Sequence, residues 1–481
     1  MSIPVDQFAK IVGGEAHGFA PDAFIAGFAT DNREVHPGDL FLAIEGERVD
    51  GHDFAADAVA RGAVGALVEH LVNPSLPQVL VPNLVVALAQ FGKHYRNQFA
   101  GPVIGVTGSA GKTTAKEFIA AALSPLGPIV KTEGNRNTEY TAPLMWAGLE
   151  PPSTCRMIVP GGGRGLGDGG SGSFETRAAV VEMAMRGFGQ IRHLAEIASP
   201  TIAVVTNIGY SHMSEVGSRD GIARAKAELL ESLPREGIAI LWQEDDYLGF
   251  LKSKAPGRVV TFGYSDEADV RIAGYKSLSW TASEVTFRVA GSENGQPSTQ
   301  IAQLPTVGRH IALGAAAAMA VAIVLGVPPA DAAKALEEAR LPPLRMEVIE
   351  RDGVTILLDT YNAAPPSMIG AIETFAELPC NGRRLAVIGE MRELGPYSDQ
   401  AHRDLGIVLA KSGIDEAIFY SGPAALAMEE ARMHGLVVHW ADSLKEVGAF
   451  IDSAKPGDAV LVKGSRSLEL EKTIPREDRE V

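Results

Sequence analysis

Two cysteines in 481 residues, Cys155 and Cys380, are too few for a disulfide framework and form no C-x-x-C pair. Their scarcity points to a reducing cytoplasm. Positive charge is also short. Lys and Arg number 43 against 59 Asp and Glu, a formal net charge of −16. That balance excludes a broad nucleic-acid surface, which needs clustered cations. It leaves room for an anionic small substrate, because a local pocket of Lys, Arg and helix N-termini overrides the global field. Long apolar runs are missing too. The longest, residues 311–327, is rich in Ala and Gly and stops at Pro328-Pro329. Its length is at the bottom of the membrane-spanning range, so a buried helix is expected and no membrane span. Met1-Ser2-Ile3-Pro4-Val5-Asp6 lacks the basic-then-apolar layout of a signal peptide. What remains, 46% hydrophobic and 21% charged residues, is the composition of a soluble globular enzyme. The length suits roughly three domains.

The most informative stretch is Gly105-Val106-Thr107-Gly108-Ser109-Ala110-Gly111-Lys112-Thr113-Thr114. An apolar, strand-like run precedes it, and a helical run over 115–123 follows. A phosphate-binding loop requires that context. Its glycines, Gly108 and Gly111, let the backbone curl so that N–H groups, including those of Ser109 and Ala110, point at phosphate oxygens. The following helix adds the positive end of its dipole. Lys112 would reach the terminal phosphates, and the Thr113 or Thr114 hydroxyl would ligate Mg²⁺. The chain is therefore expected to bind a nucleoside triphosphate.

Hydrophobic patterning divides the chain into three blocks. Residues 1–99 read as a small α/β unit without a phosphate loop. Residues 100–341 alternate apolar strands with helices, which predicts a mostly parallel sheet with helices on both faces. Within this block, 269–304 switch to polar–apolar alternation and read as antiparallel strands added to that sheet. Leu341-Pro342-Pro343-Leu344 breaks the preceding helix as a linker. Residues 342–481 alternate again and read as a second doubly wound unit. Residues 160–173, with eight glycines in fourteen positions, read as a flexible loop insertion.

Several residues outside the loop carry candidate chemistry. Glu182 ends the strand-like run 178–182, where an acid faces the nucleotide crevice and suits Mg²⁺. His212 follows Thr206-Asn207-Ile208-Gly209-Tyr210-Ser211 at the same sheet edge. A metal or phosphate role and a plain surface role both fit it. Periodicity makes Lys226 a solvated helix lysine. Asp359 ends another apolar strand, before the turn 361–367. It is either a second acid for the same site, supplied by another block, or an ordinary strand-end acid.

Together these stretches resemble the Mur ligase family of ATP-dependent ligases, over essentially the whole chain. The first block carries Asp31-Asn32-Arg33-Glu34-Val35-His36-Pro37-Gly38-Asp39-Leu40-Phe41 and Gly46-Glu47-Arg48-Val49-Asp50-Gly51-His52-Asp53-Phe54. The central block carries Thr107-Gly108-Ser109-Ala110-Gly111-Lys112-Thr113-Thr114, Gly134-Asn135-Arg136-Asn137 and the run ending at His212. The third carries Asp359-Thr360-Tyr361-Asn362-Ala363, Gly389-Glu390-Met391-Arg392-Glu393-Leu394-Gly395, His402 and Val462-Lys463-Gly464-Ser465-Arg466. The last strings favour the branch that adds D-alanyl-D-alanine to a UDP-N-acetylmuramoyl-tripeptide in peptidoglycan synthesis. The Asp-Asn-Pro-Arg string of the diamino-acid-adding branch is absent.

The resemblance implies three domains: a UDP-substrate domain, an ATP-binding central domain and a Rossmann-like domain for the incoming unit. It implies a cytoplasmic monomer that uses ATP and two Mg²⁺ ions. Lys112, Glu182, His212 and Lys226 become catalytic. Thr113, Thr114, Glu182, His212 and Lys226 hold cations, with Lys226 carbamylated. Arg345 meets the ATP phosphates and Asp359 the ribose side. Arg33, Asn135, Asn137, Asn362, Lys463 and Arg466 are expected to bind substrate.

The chain also departs from the family's pattern. A second Asn and a Gly are lost in Asn137-Thr138-Glu139-Tyr140-Thr141-Ala142-Pro143. Two Asn positions, one of which meets adenine in the family, read Ile311 and Gly314. A diamino-acid-adding ligase, a folylpolyglutamate synthase-like ligase and a non-catalytic ATP-binding relative are the competing readings.

Overall fold

The structure, a computed structural model, describes residues 2–46, 49–148, 176–291 and 297–475. The glycine-rich segment 160–173, read above as a loop, lies outside the described residues, as do Glu47 and Arg48. The chain forms two compact units. One comprises Met1–Val103, Val130–Met183 and Arg192–Ser199; the other comprises Ile104–Ile129, Ala184–Ile191 and Pro200–Val481.

In the first unit, helix α1 (Val5–Val12) buries Val5, Phe8, Ala9 and Val12, a single stripe at helical spacing. It stops where Gly13 turns left-handed at φ 66°. A five-stranded sheet follows, built from β1 (Glu15–His17), β2 (Gly27–Ala29), β3 (Asp39–Leu42), β4 (Gly65–Val68) and β5 (Gln78–Leu80), in the order β1-β5-β4-β3-β2. Only β1 runs antiparallel to its neighbour. Strands β3 and β4 are buried throughout, as parallel strands covered on both faces must be. Helix α2 (Leu84–Arg96) starts at Asn83, whose side chain accepts the Val86 N–H. Phe8, Phe28 and Phe91 form the centre of the core, with ring centroids 5.3–5.7 Å apart. Tyr140, Leu144 and Ala147 close over that core. Arg96 donates to the Ala198 carbonyl at 2.5 Å.

In the second unit, strands β6 (Val103–Thr107), β7 (Ile202–Val205), β8 (Ile238–Trp242), β9 (Arg258–Gly263) and β10 (Val270–Ser277) pair in parallel. Strands β11 (Ser283–Val289) and β12 (Ser298–Leu304) extend that sheet antiparallel, as the alternating pattern predicts. Helix α3 (Lys112–Ala122) follows β6 directly, and α4 (Arg219–Glu231) lies between β7 and β8. The long apolar run forms α5 (Arg309–Val324), buried from Ala315 to Ala322. No helix among the described residues is long and apolar enough to cross a membrane.

The remainder of this unit is a six-stranded sheet. Its strands are β13 (Glu347–Arg351), β14 (Val354–Asp359), β15 (Arg384–Gly389), β16 (Glu416–Tyr420), β17 (Val437–Ala441) and β18 (Ala459–Lys463). The order is β13-β14-β18-β15-β16-β17, parallel except at β13. Strands β14 and β18 are neighbours, in the register that pairs Asp359 with Lys463 at their carboxyl ends. In such sheets ligands bind at those ends.

Candidate active site

The loop after β6 is shaped by glycine where nothing else fits. Gly108 has φ 152°, and a Cβ there would lie 1.8 Å from Thr206 Oγ1. Gly111 has φ 75° and opens α3. A second loop, 206–212 after β7, braces the first. The Asn207 carbonyl accepts the Ser109 N–H at 3.0 Å. The Asn207 side chain accepts the Ala110 N–H and donates to the Ala110 carbonyl, both at 3.0 Å. Thr206 Oγ1 donates to the same carbonyl at 2.6 Å, and the Gly209 N–H reaches Ser109 Oγ at 2.8 Å. Asp245 in turn accepts the Ile208 N–H at 2.7 Å. The Ser109 and Ala110 N–H groups, expected to point at phosphate, are instead taken up by Asn207, and the anion-binding end that the loop presents is the N-terminus of α3 behind Gly111.

Cationic side chains gather there in a chain of net charge −16. Lys112 Nζ donates to the Gly108 carbonyl at 2.9 Å. Lys226 Nζ donates to the same oxygen at 3.0 Å from α4. Periodicity predicts a solvated Lys226, and the structure overturns this: the residue is 1% exposed. The reason is that α4 is covered on most of its surface, with residues 221–223 and 225–230 all buried. Burial, together with the charge of Lys112, pushes the Lys226 pKa well below the usual lysine range. Arg345 donates to Thr113 Oγ1 at 3.0 Å, and its guanidinium lies 3.9 Å from the centre of the Tyr361 ring. Leu344 and Met346, on either side of Arg345, have φ of 65° and 52°.

Arg345 opens onto a cavity of about 360 Å³. Gly111 and Thr114 line it at the phosphate loop, and Arg345, Asp359, Asn362 and Lys463 line it from the C-terminal sheet. Trp242, Ile311, Leu313 and Gly314 give it an apolar wall. That wall carries no amide at 311 or 314. His310 lines the cavity too; its Nδ1 is buried without a hydrogen-bond partner, and burial lowers its pKa to about 4.

The other expected site residues are distributed as follows. Asp359 and Lys463, separately expected to bind cofactor and substrate, form one buried ion pair at 2.5 Å. His212 Nδ1 lies 2.8 Å from the carboxylate of Glu393, which holds the Glu393 pKa below the usual carboxylate range. Asn362 is exposed, as is Arg466, which pairs with Glu471. In the first unit, Glu182 is 1% exposed and accepts a hydrogen bond from Asn137 Nδ2 at 2.7 Å. Asn135 is exposed there. Arg33 is exposed and bonded to Asp31 at 2.6 Å, which lowers the Asp31 pKa to about 2. Sequence reasoning assigned no role to Thr206, Asn207, Asp245 or Glu393. The signal for three of them lay in strings already quoted; for Asp245 there was none.

Three family models match the chain: the Mur ligase family catalytic domain over residues 25–96, the Mur ligase middle domain over 106–322, and the Mur ligase glutamate ligase domain over 344–466. The chain belongs to the Mur ligase family. It is 33% identical to the UDP-N-acetylmuramoyl-tripeptide–D-alanyl-D-alanine ligase of Bacillus subtilis, over 98% of this chain and 97% of that one. The enzyme of the same name from Escherichia coli is 31% identical, over 98% of both chains. Among solved structures, MurF from Acinetobacter baumannii superposes with a TM-score of 0.81 at 30% identity, covering 100% of this chain and 99% of that one. MurF from Thermotoga maritima in complex with ADP gives 0.75 at 28% identity, covering 94% and 97%. This Mur ligase therefore has the three-domain α/β fold expected from its sequence, and it is an enzyme of the ligase class.

Proposed function

We propose that this Mur ligase joins D-alanyl-D-alanine to a UDP-N-acetylmuramoyl-tripeptide at the expense of ATP. The supporting observation is a cavity lined by Ala110, Gly111 and Thr114 of the phosphate loop together with Arg345 and the Asp359–Lys463 pair, while Lys112 and Lys226 are bonded to the same loop at the Gly108 carbonyl. A cavity that presents phosphate-binding cations beside groups of the C-terminal sheet suits a reaction in which a phosphorylated carboxylate meets an amine. The peptide carboxylate attacks the γ-phosphorus of ATP, giving an acyl phosphate and ADP. The dipeptide amine then attacks the acyl carbon, a proton leaves the nitrogen, and phosphate departs with the bonding electrons. Lys112 and Arg345 offset the charge that shifts during transfer. The enzyme is further proposed to work as a monomer in the cytoplasm. The three matched spans support domain boundaries of 1–99, 100–341 and 342–481.

The residues present suit Mg²⁺. Thr113 is a buried hydroxyl, Glu182 a buried carboxylate, and His212 an imidazole already bonded at Nδ1. In this reading Thr113, Thr114, Glu182 and His212 each supply a cation ligand. The ions supply charge neutralisation between converging anions. Lys226 is proposed to be carbamylated. Carbamylation needs a neutral amine, and burial depresses the Lys226 pKa in that direction. Lys226→Ala should then lose most activity and regain part of it with acetate, which supplies carboxylate oxygens. Full activity of that variant in bicarbonate-free buffer would leave Lys226 a structural donor to Gly108. Arg33, Asn135 and Asn137 are assigned to the UDP-peptide, Asn362, Lys463 and Arg466 to the acceptor side.

The decisive assay is phosphate release with each substrate omitted in turn, with the product weighed by mass spectrometry. Release that needs ATP, the UDP-tripeptide and D-alanyl-D-alanine together supports the reading. A preference for a free diamino acid or for glutamate would transfer the enzyme to another branch. ATP binding without any ligation would make it a non-catalytic relative.

A further inference from the structure

His212 and Glu393 are 181 positions apart, and the structure joins them at 2.8 Å. A carboxylate only accepts. A neutral His212 must therefore carry its proton on Nδ1, which leaves the lone pair on Nε2. Both residues are held in the left-handed region, with φ of 64° and 65°. Neither is glycine, and two strained residues facing each other indicate a geometry the fold maintains for a purpose. The segment bearing Glu393 is fixed from behind. The buried imidazole of His402 accepts the Met391 N–H at 2.9 Å, and Ser465 Oγ accepts the Arg392 N–H at 3.0 Å. The two segments also meet beyond the ion pair. The Met213 N–H donates to the Glu393 carbonyl at 3.2 Å, and the rings of Tyr210 and Tyr397 stack 4.0 Å apart.

We infer that Glu393 is a positioning residue for cation binding: it fixes the tautomer and the ring orientation of His212, so that Nε2 becomes a competent ligand only when the Gly389–Gly395 segment of the C-terminal sheet is seated against the loop after β7. This rests on the cation role proposed for His212. Ligating histidines ordinarily give their second nitrogen to a carboxylate or carbonyl, and losing that partner weakens metal affinity about 10- to 100-fold. Here the partner comes from the part of the chain proposed to hold the acceptor. Cation affinity is thereby tied to the seating of that segment.

The test uses the full chain with a non-hydrolysable ATP analogue and Mn²⁺ as the probe. Free Mn²⁺ is counted by electron paramagnetic resonance, and the pulsed spectrum reads the coupling of Mn²⁺ to a directly bound imidazole nitrogen. His212→Ala defines the class of Mn²⁺ that needs the imidazole. Glu393→Ala should weaken that class about 10- to 100-fold and diminish the nitrogen coupling. Glu393→Gln, which keeps an acceptor for the Nδ1 proton, should stay within about threefold of wild type. The main-chain bond between residues 213 and 393 does not depend on the side chain, and the Gln variant gives a readout even if the Ala variant folds poorly. Equal Mn²⁺ affinity and nitrogen coupling in wild type and Glu393→Ala would overturn the inference alone. So would a Gln variant as weak as His212→Ala. Unchanged Mn²⁺ binding in His212→Ala would remove the cation role of His212, and this inference with it.

Discussion

At the scale of single residues, the site depends on a few positions where only one chemistry fits. Gly108 is the clearest. An added methyl would sit 1.8 Å from Thr206 Oγ1, and φ 152° is unfavourable for any L side chain. Gly108→Ala should cost on the order of 2 kcal/mol or more and abolish binding of ADP. Chemical denaturation and calorimetry would check both; an unchanged midpoint and affinity would mean that the loop has room to spare. His310 makes a different prediction. Burial lowers its pKa to about 4 from 6.5, so between those values the unfolded chain holds a proton that the folded chain does not. Unfolding free energy should therefore rise as pH goes from 4 to 6.5 and gain nothing further from this group above that window. Replacing the imidazole in His310→Asn should flatten the slope by on the order of 2 kcal/mol across the window. Parallel denaturation series for the two proteins decide it, and identical slopes would assign the pH dependence to other groups.

At the scale of elements, α4 shows how a helix carries a functional group that its own pattern does not announce. Its start is set locally: Ser218 is extended, and its hydroxyl accepts the Gly221 N–H at 3.1 Å. Its register then places Lys226 two turns further on, beneath the phosphate loop. Ser218→Ala should cost about 1 kcal/mol through the lost cap. If Lys226 depends on that start for its position, activity should fall with it, whereas a loss of stability with unchanged kcat would show that packing alone holds the helix. The strands were legible for the opposite reason. Runs such as Val103–Thr107 and Ala459–Lys463 are buried on both faces and so stand out as short unbroken apolar stretches. Their ends carry Thr107 and Lys463, which is why site residues follow apolar runs so closely.

At the scale of the whole molecule, the first sheet does not form its core unaided. Tyr140, Leu144 and Ala147 cover the cluster around Phe8, Phe28 and Phe91, and Ala198 accepts from Arg96. All four lie outside residues 1–99. A fragment of residues 1–99 should therefore melt well below the full chain and bind a dye that reports exposed apolar surface. A sharp melt at the temperature of the intact protein, without dye binding, would show that the fragment is a self-sufficient domain. Uridine-nucleotide affinity should be tested on the full chain for the same reason.

What the sequence determined by itself was whatever depends on contiguous residues. A strand, a glycine loop and a helix in succession specify a phosphate cradle, because all of its parts lie within about a dozen positions. The alternation of apolar runs specified parallel sheets, and the strings of the three blocks specified the family. Tertiary structure alone decided the pairings between distant groups. Lys226 meets Gly108 across 118 positions, and Lys463 meets Asp359 across 104. Whether a helical lysine is solvated depends on what covers its face, and nothing in the periodicity of α4 records that. Nor does the charge of Asp359, Glu393 or Lys463 say which opposite charge will face it. For Asp359 and Lys463 that is settled by strand order, which sets β14 beside β18; for Glu393 it is settled by the packing of the segment after β15 against the loop after β7. Burial then turns Asp359 and Lys463 into obligatory partners, because an isolated charge taken out of water costs far more than a paired one.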